Sequence, residues 1–173
     1  MRLLIPLPWR RAKEPVPTKR DLENRQAMTE REFHRELEID TLARTIWGEA
    51  RGEGNIGMQA VAAVVLNRVE HAEKRDGFWW GNDVIAVCQK PYQFSCWNKN
   101  DPNYKKLLEL DATNLHFATA LRIARRALAG VMDDPTDHAT HYHAQGIDPS
   151  WAEDEKPTAV IGRHLFYRPK EIR

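Results

Sequence analysis

Residues 47–69 read WGEARGEGNIGMQAVAAVVLNRV, and this stretch decides the fold because two glutamates stand among glycines directly before a nearly all-apolar segment. Residues 60–66 contain no polar side chain, which is the pattern of a helix surrounded by protein rather than half exposed. We expect Asn55 to cap this helix. The sequence therefore predicts a central core helix, with carboxyl groups at the edge of the element that precedes it.

The segment before the glycines carries a helical pattern of its own. At 100° per residue, the apolar side chains within 39–50 share one face, and Glu49 lies at the flank of that face. Glu53 follows one turn later on the same side. We expect Asp40 to cap this helix, and a separate charged, amphipathic helix to occupy residues 21–37.

The second half of the chain predicts one more long helix and then strands. The helix is expected to run from its cap at Asn114 to about residue 129, with Gly130 placed to end it. Residues 138–143 and 158–167 have the composition of short strands. The sequence thus predicts an α+β, mainly α domain with a small antiparallel β ribbon near the C-terminus.

The length and charge of the chain limit its domain count and partners. A chain of 173 residues is long enough for one domain with a sizeable core. Lys and Arg total 26 against 25 for Asp and Glu, so no overall field favours nucleic acid as a partner. Residues 1–20 are basic and Pro-rich, and we expect a flexible, solvated arm before a single catalytic domain at 21–173. Contact of this arm with an anionic envelope surface is the alternative.

Neither a membrane span nor a secretory leader is expected. No run approaches the roughly 18 apolar residues of a spanning helix, and the first residues, MRLLIPLPWRR, lack the small-residue cleavage pattern of a signal peptide. The two cysteines, Cys88 and Cys96, do not have the paired spacing of a structural zinc site. We expect both to be buried and reduced.

Glu49 and Glu53 suggest proton-transfer chemistry. Burial beside an apolar face and repulsion between two carboxylates are expected to raise at least one pKa, and a carboxylic acid that stays protonated can donate to a leaving oxygen. Two glutamates on one side of a helix are poorly placed to lie on opposite sides of a glycosidic bond. This favours one acid with a supporting carboxylate over a pair of nucleophile and acid. Glu49 is the predicted acid, and Glu53 is expected to tune it or to bind Arg51 or Arg68.

Four motifs, in this order, resemble the SleB-type cell-wall hydrolase family: IWGEARGE, GMQAVAAVVLNRV, YQFSCW, and the tail THYHAQGIDPSW with IGRHLFY. The resemblance covers about residues 40–168. It implies a lysozyme-like fold and a lytic transglycosylase that cleaves the β-1,4 bond between N-acetylmuramic acid and N-acetylglucosamine in peptidoglycan. The first glutamate of GEARGE, Glu49, would be the catalytic acid, and the reaction needs no metal or other cofactor.

The compact form of the chain resembles a phage endolysin or a virion-associated lysin within this family. Such a protein would stay in the host cytoplasm before its release to the cell wall, or travel with the virion. Its partner would be the glycan strands of peptidoglycan. The YQFSCW loop offers an amide, a hydroxyl and an aromatic face for a sugar, so Gln93, Phe94 and Ser95 are candidate binding residues. Tyr142 and His143 are expected to reach the cleft from the ribbon.

Two other functions are compatible with the residues. His138, His141, His143 and His164 could hold zinc, which would make the protein a peptidoglycan amidase or peptidase. The HExxH pattern is missing, however, and a regular strand would send His138 and His143 to opposite faces. Alternatively, the protein is a non-catalytic module that binds cell wall or nucleic acid through its basic arm, and Glu49 is only a solvated helix residue.

Overall fold

The computed structural model describes residues 18–170, so most of the expected N-terminal arm lies outside the described residues. The described part contains five α-helices, a small sheet and two 3₁₀ turns, which confirms the predicted α+β, mainly helical class. In chain order the elements are α1 (Lys19–Ala50), α2 (Gly54–Glu73), α3 (Val84–Gln89), a 3₁₀ turn (Ser95–Trp97), α4 (Tyr104–Leu108), α5 (Leu115–Leu128), β1 (His141–Ala144), a 3₁₀ turn (Ser150–Ala152), β2 (Ala159–Ile161) and β3 (His164–Tyr167).

Helix α1 is continuous, so the predicted break before Asp40 is wrong. The helix begins after Thr18, whose hydroxyl accepts from the backbone N–H of Asp21 while its own N–H donates to the Asp21 carboxylate. Asp40 lies inside the helix, where its carboxylate accepts from Arg44 at 2.7 Å instead of capping. No proline or glycine interrupts the segment before Gly48, so nothing ends the helix earlier. By compactness, the chain divides within this helix, between His34 and Arg35, into two units.

Helix α2 is the predicted central core helix. Its apolar run, residues 60–65, is at most 2 % exposed at every position. One side of the run packs with α1, α3 and α5, and the other side meets Ala139 and Phe166 from the sheet region. Asn55 lies in the first turn of this helix and does not cap it; Glu53 holds the N-cap position, without a capping hydrogen bond from its side chain.

Helix α5 has the predicted ends. The side chain of Asn114 accepts a hydrogen bond from the backbone N–H of Phe117 at 3.0 Å. Gly130 follows the last turn with φ +70°, the left-handed conformation that commonly ends a helix. The apolar face of α5 packs on α2 and completes the helical core.

The sheet has three antiparallel strands in the order β1-β3-β2. Tyr142 of β1 pairs with Phe166 of β3, and Phe166 also faces Ala159 of β2. The prediction of two strands was therefore correct only in part: residues 158–167 form a hairpin, because Gly162, with φ +58°, allows a tight turn there. Residues 138–140 precede β1 and do not join the strand.

Two further predictions concern the membrane and the cysteines. In the described region, 18–170, no helix combines the length and the apolar content needed to cross a bilayer. Cys88 and Cys96 are both buried and unpaired, as expected. Burial raises the pKa of each thiol, so both thiols stay protonated at neutral pH.

Candidate active site

Glu49 lies in the last turn of α1, where that helix comes very close to the YQFSCW loop. A Cβ atom on the neighbouring Gly48 would lie 2.5 Å from Cβ of Cys96, so only glycine permits this approach. The approach brings the backbone N–H of Cys96 to 3.5 Å from Oε1 of Glu49, a long contact. The half-buried Glu49 carboxyl thus faces the loop rather than bulk solvent.

Tyr142 provides the main contact of this carboxyl. Its hydroxyl donates to Oε2 of Glu49 at 3.0 Å. Its ring stacks on Phe166 at 5.5 Å between centroids and meets the edge of His164 at 5.2 Å. Burial, and then the nearby Glu49 carboxyl, raise the pKa of Tyr142 well above its usual range, so the phenol remains a hydrogen-bond donor. The sequence placed Tyr142 near the cleft but did not pair it with Glu49.

Arg68 lies in the site, although the sequence suggested it only as a possible partner of Glu53. It is 5 % exposed, and its Nε donates to the carbonyl oxygen of Thr140 at 2.8 Å. Its Nη1 donates to Oε1 of Gln93 at 3.2 Å. Burial lowers the pKa of Arg68 to about 10, against the opposing influence of Tyr142, Cys88 and Glu49, so the side chain remains positively charged at neutral pH. Its position as the first charged residue of α2, two residues after the apolar run 60–66, was the signal that could have identified it.

Glu53 binds a different arginine from the two predicted. Its carboxylate accepts from the backbone N–H of Arg163 at 2.8 Å and from the Arg163 guanidinium at 2.9 and 2.6 Å. These hydrogen bonds, the backbone one first, lower the pKa of Glu53. The expected partners Arg51 and Arg68 were wrong. Glu53 joins the β2–β3 turn to the start of α2.

The predicted sugar-binding residues separate into three groups. Gln93 lies beside Arg68, in the cluster around Glu49, and Ser95 is exposed on the same loop. Phe94 is only 1 % exposed, with the Arg68 guanidinium 5.3 Å from its ring centre, so its assignment to sugar binding is corrected to a core position. His143 stacks on Tyr167 and its Nε2 lies 2.9 Å from that hydroxyl, away from the Glu49 contacts.

The charges of both glutamates affect the pKa of His164. Burial lowers the pKa of this imidazole, while the charges of Glu53 and Glu49 act in the opposite direction. Its Nδ1 is buried and has no hydrogen-bond partner among residues 18–170. A largely neutral ring therefore forms one wall beside Tyr142.

The histidines of the zinc alternative do not come together. His141 contacts Trp151, whereas His164 contacts Tyr142. Within the part of the chain that the structure describes, no group of three or more His, Cys, Asp or Glu side chains is arranged to share a metal ion.

The sequence model of a family described as Cell Wall Hydrolase matches residues 52–167, which includes Glu53 and begins three residues after Glu49. The spore cortex-lytic enzyme of Halalkalibacterium halodurans is 30 % identical over 132 residues, which cover 75 % of this chain and 34 % of that protein. The spore cortex-lytic enzyme of Bacillus subtilis is 27 % identical and is covered to 37 %. The chain thus spans between a third and a half of the length of these relatives.

Two solved structures resemble the fold. The catalytic domain of the Bacillus cereus SleB protein has a TM-score of 0.59 at 29 % identity, over 76 % of this chain and 89 % of that one. The catalytic domain of the germination-specific lytic transglycosylase SleB from Bacillus anthracis has a TM-score of 0.58 at 29 % identity, over 76 % and 93 %. The similarity covers most of each catalytic domain.

Proposed function

The chain belongs to the cell wall hydrolase family, and from this we propose that it cleaves the glycan strands of peptidoglycan with Glu49 as general acid and base. The bond cut is the β-1,4 link between N-acetylmuramic acid and N-acetylglucosamine, and the reaction is that of a lytic transglycosylase. One of the similar solved domains carries that description. Family membership also favours an enzyme over a non-catalytic binding module.

The observation that carries the assignment of Glu49 is the contrast between the two glutamates. Both oxygens of Glu53 are occupied by Arg163. Glu49 has one firm partner, Tyr142 on Oε2; within the described residues it also has the long contact from the Cys96 N–H to Oε1 and a hydrogen bond with the weakly polar Cys96 thiol. A general acid needs an oxygen that a substrate can reach at hydrogen-bond distance, and Glu49 offers one.

The reaction balances with this single acid. Protonated Glu49 gives its proton to the bridging oxygen as the bond from C1 of the muramic residue to that oxygen breaks. The Glu49 carboxylate then takes the proton of the 6-hydroxyl of the same muramic residue while that oxygen bonds to C1. The products are a strand that ends in a 1,6-anhydro ring and a strand with a free 4-hydroxyl, and no water is consumed.

The neighbours of Glu49 support both halves of this cycle. The Tyr142 hydroxyl holds Oε2, which leaves Oε1 for the proton transfer. The buried positive charge of Arg68 interacts with Glu49 and stabilises the carboxylate that forms when the proton leaves. Because Arg68 and Tyr142 are fixed by the core and by the sheet, this stabilisation is in place before the substrate arrives.

The test is digestion of isolated peptidoglycan by the purified chain and its variants. Glu49→Gln, which is nearly isosteric, is expected to keep the fold and to lower turnover by about 100-fold to 10,000-fold, the usual contribution of a general acid–base group. Glu53→Gln should lower it less, and Glu109→Gln, at an exposed position, should not change it. Near-normal turnover of Glu49→Gln contradicts the proposal. A loss in Glu53→Gln equal to or larger than that in Glu49→Gln means that the two roles are reversed.

Mass spectrometry of the fragments identifies the reaction. Anhydromuramyl ends support the transglycosylase. Reducing muramyl ends indicate that water replaces the 6-hydroxyl, and freed stem peptides indicate an amidase.

A further inference from the structure

A cavity of about 400 Å³ lies in the loop that follows α3, and none of its residues has a part in the chemistry above. We call it the loop cavity; its walls are residues 89–92 and 97–100. Trp97 begins the second wall directly after Cys96, whose N–H faces Glu49. The indole N–H of Trp97 donates at 2.9 Å to Thr45, one turn before Glu49 on α1. The loop cavity is therefore tied to the element that carries the proposed catalytic acid.

The walls present two aromatic side chains. Tyr92 is 89 % exposed, and its backbone has φ 65°, a conformation that is rare for a bulky residue. The protein thus holds an aromatic ring at the surface, where burial does not stabilise it. Trp97 stands on the other wall, half-buried, with its indole N–H already bonded. Flat aromatic faces of this kind bind the apolar face of a sugar ring.

Three amide side chains line the same cavity: Gln89, Asn98 and Asn100. Each has donor and acceptor groups, which match the hydroxyl and acetamido groups of an N-acetylated sugar. None of the three side chains makes a hydrogen bond to another residue within 18–170. Their hydrogen-bonding capacity is available to a ligand.

The charge of the loop cavity is positive. Lys90 and Lys99 line it, and its lining includes no acidic residue. Neither lysine is ion-paired in the described part of the chain. These two positive charges do not help to bind a neutral sugar, whereas they attract the carboxylates of a sugar that carries them.

We propose that the loop cavity binds the N-acetylmuramic acid residue together with the acidic stem peptide attached to it. The rings of Tyr92 and Trp97 contact the sugar, the three amides contact its hydroxyl and acetamido groups, and Lys90 and Lys99 contact the peptide carboxylates. This inference rests on the proposed function, since it assumes peptidoglycan as substrate. It makes the protein selective for strands that still carry their peptides.

Binding is measured by isothermal titration in the Glu49→Gln background, so that no ligand is cleaved. The two probes are a disaccharide bearing a tetrapeptide, from peptidoglycan, and chitotetraose, which has no carboxylate. Tyr92→Ala should raise the Kd of both probes about 10-fold, through the loss of one stacked ring. Lys90→Gln with Lys99→Gln should raise the Kd of the peptide-bearing probe about 5-fold, as two exposed charge pairs would, and leave chitotetraose unchanged.

Matched controls are an exposed apolar side chain and two exposed lysines elsewhere: Leu115→Ala, and Lys156→Gln with Lys170→Gln. Unchanged Kd values in the cavity variants overturn the proposal, and so does an equal change of both probes in the lysine variant. The two proposals fail separately. If cleavage depends on Glu49 but the Tyr92 and lysine variants bind both probes normally, only the proposal for the loop cavity is refuted. If the Kd values change as expected but the parent protein cleaves no peptidoglycan, only the proposed reaction is refuted.

Discussion

Replacing Tyr142 with Phe removes a single hydroxyl and keeps the ring that packs on Phe166 and His164. The hydroxyl donates to Oε2 of Glu49 at 3.0 Å. A hydrogen bond to a charged group is worth about 1.5–3 kcal/mol. If this energy stabilises the carboxylate that forms as the proton leaves, its loss lowers kcat by roughly 10-fold to 150-fold, because each 1.36 kcal/mol is a factor of ten.

The assay is the initial rate of peptidoglycan solubilisation, with thermal melting to show that each variant is folded. Tyr167→Phe is the matched control. It also removes a tyrosine hydroxyl from the sheet, but that hydroxyl contacts His143 rather than Glu49. Its kcat should stay within about 2-fold of the parent, as expected for a hydrogen bond away from the reacting atoms. A kcat of Tyr142→Phe above half of the parent value, or an equal fall in the control, refutes the reasoning. In the Glu49→Gln background, Tyr142→Phe should add almost nothing, because its charged partner is gone.

Two other predictions concern the elements that hold the site. The pKa of Glu53 is lowered in the folded protein, so its contribution to stability is present above its ordinary value of 4.5 and is lost as the pH falls through the lowered value. The difference in unfolding free energy between the parent and Glu53→Gln, measured with urea, should therefore be smaller at pH 3 than at pH 7; an equal difference contradicts the role of Arg163. Gly48→Ala should destabilise the protein by about 1–3 kcal/mol and reduce turnover, because the new Cβ would push Cys96 away. Gly52→Ala, where the nearest atom is a flexible Arg163 nitrogen at 3.5 Å, should do neither when both are compared by denaturation and solubilisation rate.

The parts of the fold that the sequence predicted correctly are those with a strong local signal. The unbroken apolar run of α2 requires burial on all sides, and Asn114 and Gly130 have the side chain and the backbone freedom that helix ends need. The division of α1 at Asp40 was wrong because a capping residue type was taken as a boundary. Arg44, one turn later, uses that carboxylate within the helix.

Only those features of the site that depend on local sequence patterns could be predicted. Glu49 was chosen as the predicted acid because it stands beside glycines at the end of an apolar face. Its partner Tyr142 is 93 residues away, and the partner of Glu53 is 110 residues away. Which residues pair over such distances depends on how the sheet packs against α2. The local periodicity of the sequence does not determine that packing. Phe94 was misassigned for a similar reason, since it packs in a core made of residues from several other elements.

The relatives described above are spore cortex-lytic enzymes, so the expected likeness to a phage endolysin and the associated location stay predictions. The same holds for the basic N-terminal arm, most of which lies outside the described residues. Deleting residues 1–20 separates an enzyme from a non-catalytic module that binds through that arm. An enzyme should keep its turnover on isolated peptidoglycan, whereas an arm-driven binder should lose its main interaction.

In the proposed function, Glu49 and Glu53 have different roles one helical turn apart. Gly52 lies between them in the break between α1 and α2, and Gly54 begins α2, so the two carboxyls meet different parts of the chain. Glu53 meets the β2–β3 turn, where a backbone N–H and a guanidinium keep it ionised. Glu49 meets a phenol that stays protonated and a buried arginine that holds no direct bond to it in the described structure. A carboxyl fully bonded to arginine resists protonation. Under the proposed function, Glu53 therefore supports the turn and Glu49 carries out the chemistry, without a second catalytic carboxylate.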